Sequence, residues 1–215
     1  MMHKSVKNLA YIKNKIKEVV DYHPTIIAVS KTFGETDITP LLDFGHKHFG
    51  ENKVQEGVNK WKNLKQKYKN IELHMIGKLQ RNKVKECVKY FDFIHSVDNR
   101  KLAKKISEEQ EKVKKRPKIF IQVNIGDESQ KSGISKNNLE DLIIYCNEIK
   151  LDLVGLMCIP PVNSDPIKYF SEMNTLKRKF HLTELSMGMS SDYLQACKNS
   201  SSFLRIGSDI FGKRI

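Results

Sequence analysis

Short β-rich runs alternate with longer helical patterns along almost the whole chain, and that rhythm limits the folds open to it. The strand candidates are Thr25–Lys31, Lys47–Glu51, Glu72–Gly77, Phe93–Val97, Lys118–Ile125, Asp152–Cys158, Glu184–Met187 and Phe203–Ile206. Helical patterns fall between them at Val54–Tyr68, Arg81–Tyr90, Lys101–Lys115, Leu139–Lys150, Pro166–Phe180 and Ser191–Lys198. Strands joined by helical crossovers pair in parallel. With eight of them, closure into an α/β (β/α)8 TIM-type barrel is the natural solution. An open doubly wound sheet is the alternative, but no G-x-G-x-x-G follows the first strand.

The 215 residues suit one large domain, and no Pro/Gly/Ser linker divides them. We therefore expect a single barrel domain over 1–215, with an N-terminal helix in 1–22 and the barrel proper over 25–212. The last strand lies close to residue 215, which leaves the eighth crossover helix unaccounted for. The N-terminal helix, roughly residues 2–20, is expected to pack beside the first and last strands in its place. No apolar run approaches the roughly 20 residues of a membrane span. The first twenty residues lack the h-region of a secretory signal, so the expected location is the cytoplasm.

A net charge of +13 raises nucleic acid as a partner, yet the excess is almost all lysine, with only six arginines. Lys60, Lys62, Lys65, Lys67 and Lys69 read as a solvated helix face, and no nucleic-acid recognition motif is present. A positive field of this size also favours phosphorylated small molecules. Cys87, Cys146, Cys158 and Cys197 form no C-x-x-C pair and are expected to be reduced, buried thiols.

In a barrel of this kind the functional groups sit where strands end, on the C-terminal face. That nominates Lys31, Glu51-Asn52, Gly77-Lys78, Asn124, Met157, Gly188–Ser191 and Arg205–Ser208. Lys31 follows an apolar strand, where desolvation would favour the neutral, nucleophilic amine. From position alone, a solvated lysine capping the strand is the more ordinary reading. Gly188-Met189-Ser190-Ser191 can hold an anion or simply cap a helix. Gly207 permits close backbone approach and Ser208 adds a donor. Together these two loops occupy the slots after strands seven and eight where such barrels often bind phosphate. Arg205 alternates with Leu204 and Ile206 and so faces away from them, where it needs an acceptor or a structural salt bridge. His46-x-His48 has no third ligand at usable spacing, so no metal site is expected there. His74 reads as a satisfied core histidine, and Met157 as core packing.

Taken together the segments resemble the family of pyridoxal 5′-phosphate (PLP) homeostasis proteins. The matching runs are AVSK (28–31), FGEN-x-VQEG (49–57), H-x-IG-x-LQ-x-NK (74–83), SVD (96–98) and VNIGDESQKSG (123–133). They continue with GLM-x-IP (155–160), LSMGMSSD (185–192) and RIGSDIFGKR (205–214). The departures are small: leucine precedes His74 where many members carry tryptophan, and Lys78 fills a variable place. The resemblance implies a fold like the alanine racemase N-terminal barrel, with PLP as the one cofactor and no metal. It places the family's Schiff-base lysine on Lys31 and its phosphate-binding groups on Ser190, Ser191, Gly207 and Ser208. Its pyridine-facing arginine falls on Arg205, and Asn52 and Met157 match positions lining the pocket.

PLP is a strong electron sink when its pyridine nitrogen is protonated, and an arginine can only donate to that nitrogen. Racemases that keep this arginine need a second base, which in alanine racemase comes from a partner subunit in an architecture with an added β-domain. No such domain is expected within these 215 residues, so one side of the cofactor should face solvent. The resemblance thus implies a PLP carrier and reservoir with PLP-dependent apo-enzymes as recipients; with no long exposed apolar surface evident in the sequence, a monomer is expected. A weak amino-acid racemase is the alternative, and a nucleic-acid-binding protein a more distant one.

Overall fold

In the computed structural model, which describes residues 2–212, a closed barrel of eight parallel strands runs in sequence order. Its elements alternate as α1 (Lys4–Lys17), β1 (Thr25–Val29), α2 (Glu35–Asp43), β2 (His48–Glu51), α3 (Val54–Lys67) and β3 (Glu72–Met75). They continue as α4 (Val84–Tyr90), β4 (Phe93–Val97), α5 (Arg100–Val113), β5 (Lys118–Val123), α6 (Leu139–Glu148) and β6 (Asp152–Cys158). The chain closes with α7 (Pro166–Lys179), β7 (Glu184–Ser186), α8 (Tyr193–Lys198), β8 (Phe203–Ile206) and α9 (Ser208–Phe211). Lys213 and Arg214, at the end of the RIGSDIFGKR run, lie outside the described residues.

The eightfold reading of the strands and the barrel expected from it are borne out. Closure comes from β1 against β8, with Ile27 opposite Arg205 and Ala28 opposite Ile206. Two helices went unread in the sequence, α2 and the four-residue α9. The helix α2 carries Pro40 in its interior, a residue that ordinarily argues against helix, but Asp37 caps it by accepting from the Gly34 N–H at 3.0 Å. Conversely β1 ends at Val29, so Ser30 and Lys31 lie in the turn that follows it.

Strand alternation sorts the side chains into two layers. Ile26, Ala28, Phe49, Leu73, Ile94, Ile119, Leu156 and Leu204 point outward into the layer beneath the helices. Inside the barrel, Ile27, Phe93, Phe120, Met157 and Phe203 form a separate apolar cluster. The helices dock through apolar stripes with ordinary start signals. Asn99 caps α5 by accepting from Leu102 N–H at 2.9 Å, and Asp165 caps α7 ahead of Pro166. The N-terminal helix α1 packs on α9, α2 and α8, the helices next to β1 and β8 in the chain. The Asn8 amide donates to the Ile210 carbonyl at 3.0 Å. All four cysteines are buried free thiols. Among the described residues no helix is long and apolar enough to cross a membrane.

Candidate functional site

The turn after β1 presents Lys31, half-buried, at the C-terminal rim. Its neighbours on both sides are anchored. Ser30 is fully buried, and its hydroxyl donates to Glu51 Oε1 at 2.8 Å. Thr32 has a φ of +69°, an uncommon conformation for a β-branched residue, and its N–H donates to Glu56 Oε1 at 2.6 Å. Burial pushes the Glu56 carboxyl up, but the Thr32 N–H and Lys60 outweigh it and hold the group below its usual value.

Arg205 enters the barrel from β8 and is 4% exposed. Its guanidinium donates to Ser186 Oγ at 2.7 Å and to the Cys158 carbonyl at 2.8 Å. Among the described residues no carboxylate pairs with it, so the structural salt bridge left open by the sequence is not what holds it. A buried cation supported by two neutral oxygens is costly and keeps donor capacity for a further acceptor. Burial is also what lowers its pKa.

Beneath Arg205 the hydrogen bonds continue through the barrel interior. His95 Nδ1 lies 2.9 Å from Ser186 Oγ, His95 Nε2 lies 3.0 Å from His74 Nδ1, and His74 Nε2 lies 3.1 Å from His48 Nδ1. Burial holds His95 and His74 well below the usual histidine range, so both are neutral. Arg205 donates to the Ser186 oxygen, and in the tautomer that uses the Ser186 hydroxyl proton as well, that proton goes to His95 Nδ1. Each imidazole then passes its own Nε2–H one step onward, which satisfies every group in the row. His74 is thus the satisfied core histidine expected from its place in a strand.

The loops after β7 and β8 complete the rim. Gly188 has a φ of +93°, and a Cβ there would meet the Ala196 Cβ at 2.6 Å, so only glycine fits. Met189 N–H donates to Asp192 Oδ1 at 2.6 Å, and Asp209 N–H donates to Ser190 Oγ at 3.4 Å, tying the two loops together. Phe33 and Phe211 stack with centroids 4.7 Å apart.

Six residues singled out in the sequence, Lys31, Ser190, Ser191, Arg205, Gly207 and Ser208, line one cavity of about 370 Å³. Val29, Phe33, Met189 and Gly212 complete its wall. Two others are placed elsewhere. Asn52 lines adjoining cavities beside Gly77 and Lys78, and Met157 is fully buried in the apolar cluster inside the barrel. The sequence reading missed Ser186 and His95 as the support of Arg205. Alternation along β4 and β7 was the signal available, since it sends both side chains inward.

The sequence profile of the alanine racemase N-terminal domain family matches residues 6–214. A pyridoxal phosphate homeostasis protein of Pasteurella multocida is 36% identical over 225 aligned positions, covering 97% of each chain. A protein of the same name from Escherichia coli K12 is 34% identical, covering 99% of this chain and 98% of its own. The solved structure of PipY from Synechococcus elongatus PCC7942 with PLP bound superposes with a TM-score of 0.88 at 30% identity, covering 97% of this chain and 100% of its own. Alanine racemase of Clostridium difficile 630 superposes at 0.74 with 16% identity over 97% of this chain and 57% of its own, a likeness of fold.

Proposed function

The chain belongs to the pyridoxal phosphate homeostasis protein family, and from that premise we propose that it binds PLP through Lys31 and acts as a carrier and reservoir of this cofactor. The observation that carries the reading is the convergence of Lys31, Arg205 and the serine-bearing loops on a single cavity. The residues fit the cofactor's chemistry. A phosphate needs several donors, and Ser190, Ser191 and Ser208 offer three hydroxyls beside the backbone at Gly207. A ring nitrogen needs one donor, and Arg205 is buried with capacity to spare.

When bound, PLP supplies an aldehyde with which a lysine amine condenses, releasing water. The Lys31 amine is that group here, held in place by the anchored backbone of Ser30 and Thr32. Arg205 would keep its proton and donate to the ring nitrogen of a bound cofactor, and an unprotonated nitrogen would suit storage better than carbanion chemistry. The partly exposed place of Lys31 at the rim would let an incoming amine reach a cofactor held there, which suits its release to apo-enzymes by exchange. The same reading takes the protein to be a cytoplasmic monomer.

The test is absorbance of the purified chain with added PLP, followed by borohydride reduction and peptide mapping. A visible band trapped on Lys31, and lost in Lys31→Ala, is expected. An unchanged band in that variant would sink the assignment.

A further inference from the structure

At the opposite, N-terminal end of the barrel the same row of histidines ends in a group that the cofactor reading does not use. His48 and Glu72 are register partners on β2 and β3, and His74 follows Glu72 on the same face. His48 Nδ1 lies 3.1 Å from His74 Nε2 and 3.6 Å from Glu72 Oε2, and all three atoms lie within 4.8 Å of one another. A tetrahedral ion with bonds of about 2.0–2.2 Å places its ligands roughly 3.3–3.6 Å apart. Two imidazoles and a carboxylate are a donor set for a first-row divalent ion.

We propose that His48, Glu72 and His74 form a three-ligand site for a divalent transition metal of the zinc type at the floor of the barrel. The supporting shell is already in place. His74 is fully buried, stacks on Phe93 at 4.2 Å, and bonds through its other nitrogen to His95. That outer hydrogen bond fixes a metal-binding imidazole in orientation. His48 and Glu72 keep 26% and 44% of their side-chain surface exposed, which gives the ion a path in and leaves a fourth position for water. His46 is not a ligand, because its Nε2 contacts the His48 carbonyl oxygen at 2.9 Å.

The ion takes lone pairs on His48 Nδ1 and His74 Nε2, replacing the hydrogen bond between them. The His74 proton then sits on Nδ1 and the His95 proton on its own Nδ1; Ser186 Oγ accepts from both His95 and Arg205 through its two lone pairs and its own hydroxyl proton rotates away from His95, so the number of protons in the row is unchanged. The site is thereby joined, through Ser186, to the guanidinium of Arg205. It does not depend on the cofactor reading.

Calorimetric titration of the full chain with Zn2+, after dialysis against a chelator, tests the site. One equivalent should bind. His48→Ala and Glu72→Gln should each weaken binding at least tenfold, and His23→Ala, an exposed histidine on the same rim, should leave it unchanged. X-ray absorption of the loaded wild-type chain should show nitrogen and oxygen ligands and decides the matter if a variant fails to fold. No stoichiometric binding, wild-type affinity in both variants, or sulfur ligation would each overturn the proposal.

Discussion

Lys60 Nζ donates to the Ser30 carbonyl at 2.7 Å, so a lysine on α3 holds the backbone immediately before Lys31. The same ammonium pairs with Glu51 Oε1 at 3.0 Å, and the two side chains are 10% and 0% exposed. Trp61 Nε1 donates to that carboxylate oxygen as well, at 2.9 Å. Removing one partner of a buried pair leaves the other charge uncompensated, at a cost of about 3–5 kcal/mol. Lys60→Met should therefore lower thermal stability by that order and weaken PLP loading at Lys31. Melting curves and PLP titration of the variant check both. A variant as stable as wild type would show that Lys60 does not brace the turn.

Ser186 Oγ is hydrogen-bonded to both Arg205 and His95, at 2.7 and 2.9 Å. Ser186→Ala strands two buried polar groups at once, each worth about 1–3 kcal/mol when unsatisfied. A loss of roughly 2–4 kcal/mol is expected, together with weaker PLP binding as Arg205 loses its anchor. Chemical denaturation gives the first and absorbance titration the second. A change within error would mean that water or a shifted side chain replaces the hydroxyl.

Much of this was legible because strands and loops write locally. Alternation gave all eight strands, and Lys31, Ser190, Ser191, Gly207 and Ser208 stood out as residues just past strand ends. What stayed hidden depends on the register between strands. His46-x-His48 offers no third ligand along the chain, yet β3 brings Glu72 and His74 to His48. Arg205 could be read as inward-facing, but its partners come from β6 and β7. The helix α2 was hidden by Pro40, whose missing N–H is offset by an N-terminus capped through Asp37.

Acid should act on the protein partly through Asp92. Burial raises this carboxyl, but the Leu73 N–H, Lys65 and Lys115 overcome it and hold the group below its usual value. The contacts are 2.8 Å to Leu73 N, 2.5 Å to Lys65 Nζ and 2.9 Å to Lys115 Nζ. A carboxyl whose pKa is depressed on folding adds stability above its unfolded value, about 3.9, and loses it as pH falls through the folded value. Asp92→Asn should cost about 1–3 kcal/mol at pH 7, and the gap to wild type should narrow as pH falls below the unfolded value and through the depressed folded one. Denaturation midpoints measured across that range decide it. A gap that persists undiminished at low pH would mean that the charge is not the source.

Two glycines flank the cavity for opposite reasons, and substitution separates them. At Gly188 the φ of +93° and the 2.6 Å approach to Ala196 penalise any side chain within the protein itself. Left-handed strain and overpacking together predict a loss of about 2–4 kcal/mol for Gly188→Ala. At Gly207 a new Cβ would meet nothing nearer than the Val29 Cβ at 3.4 Å, an ordinary contact, yet the residue lines the cavity. Gly207→Ala should therefore change stability by no more than about 0.5 kcal/mol. If backbone approach to a phosphate is its purpose, PLP affinity should fall by about tenfold or more in the same variant. Paired melting and PLP titration of the two variants test this split. A Gly207→Ala protein that binds PLP as well as wild type would remove the loop after β8 from the phosphate site.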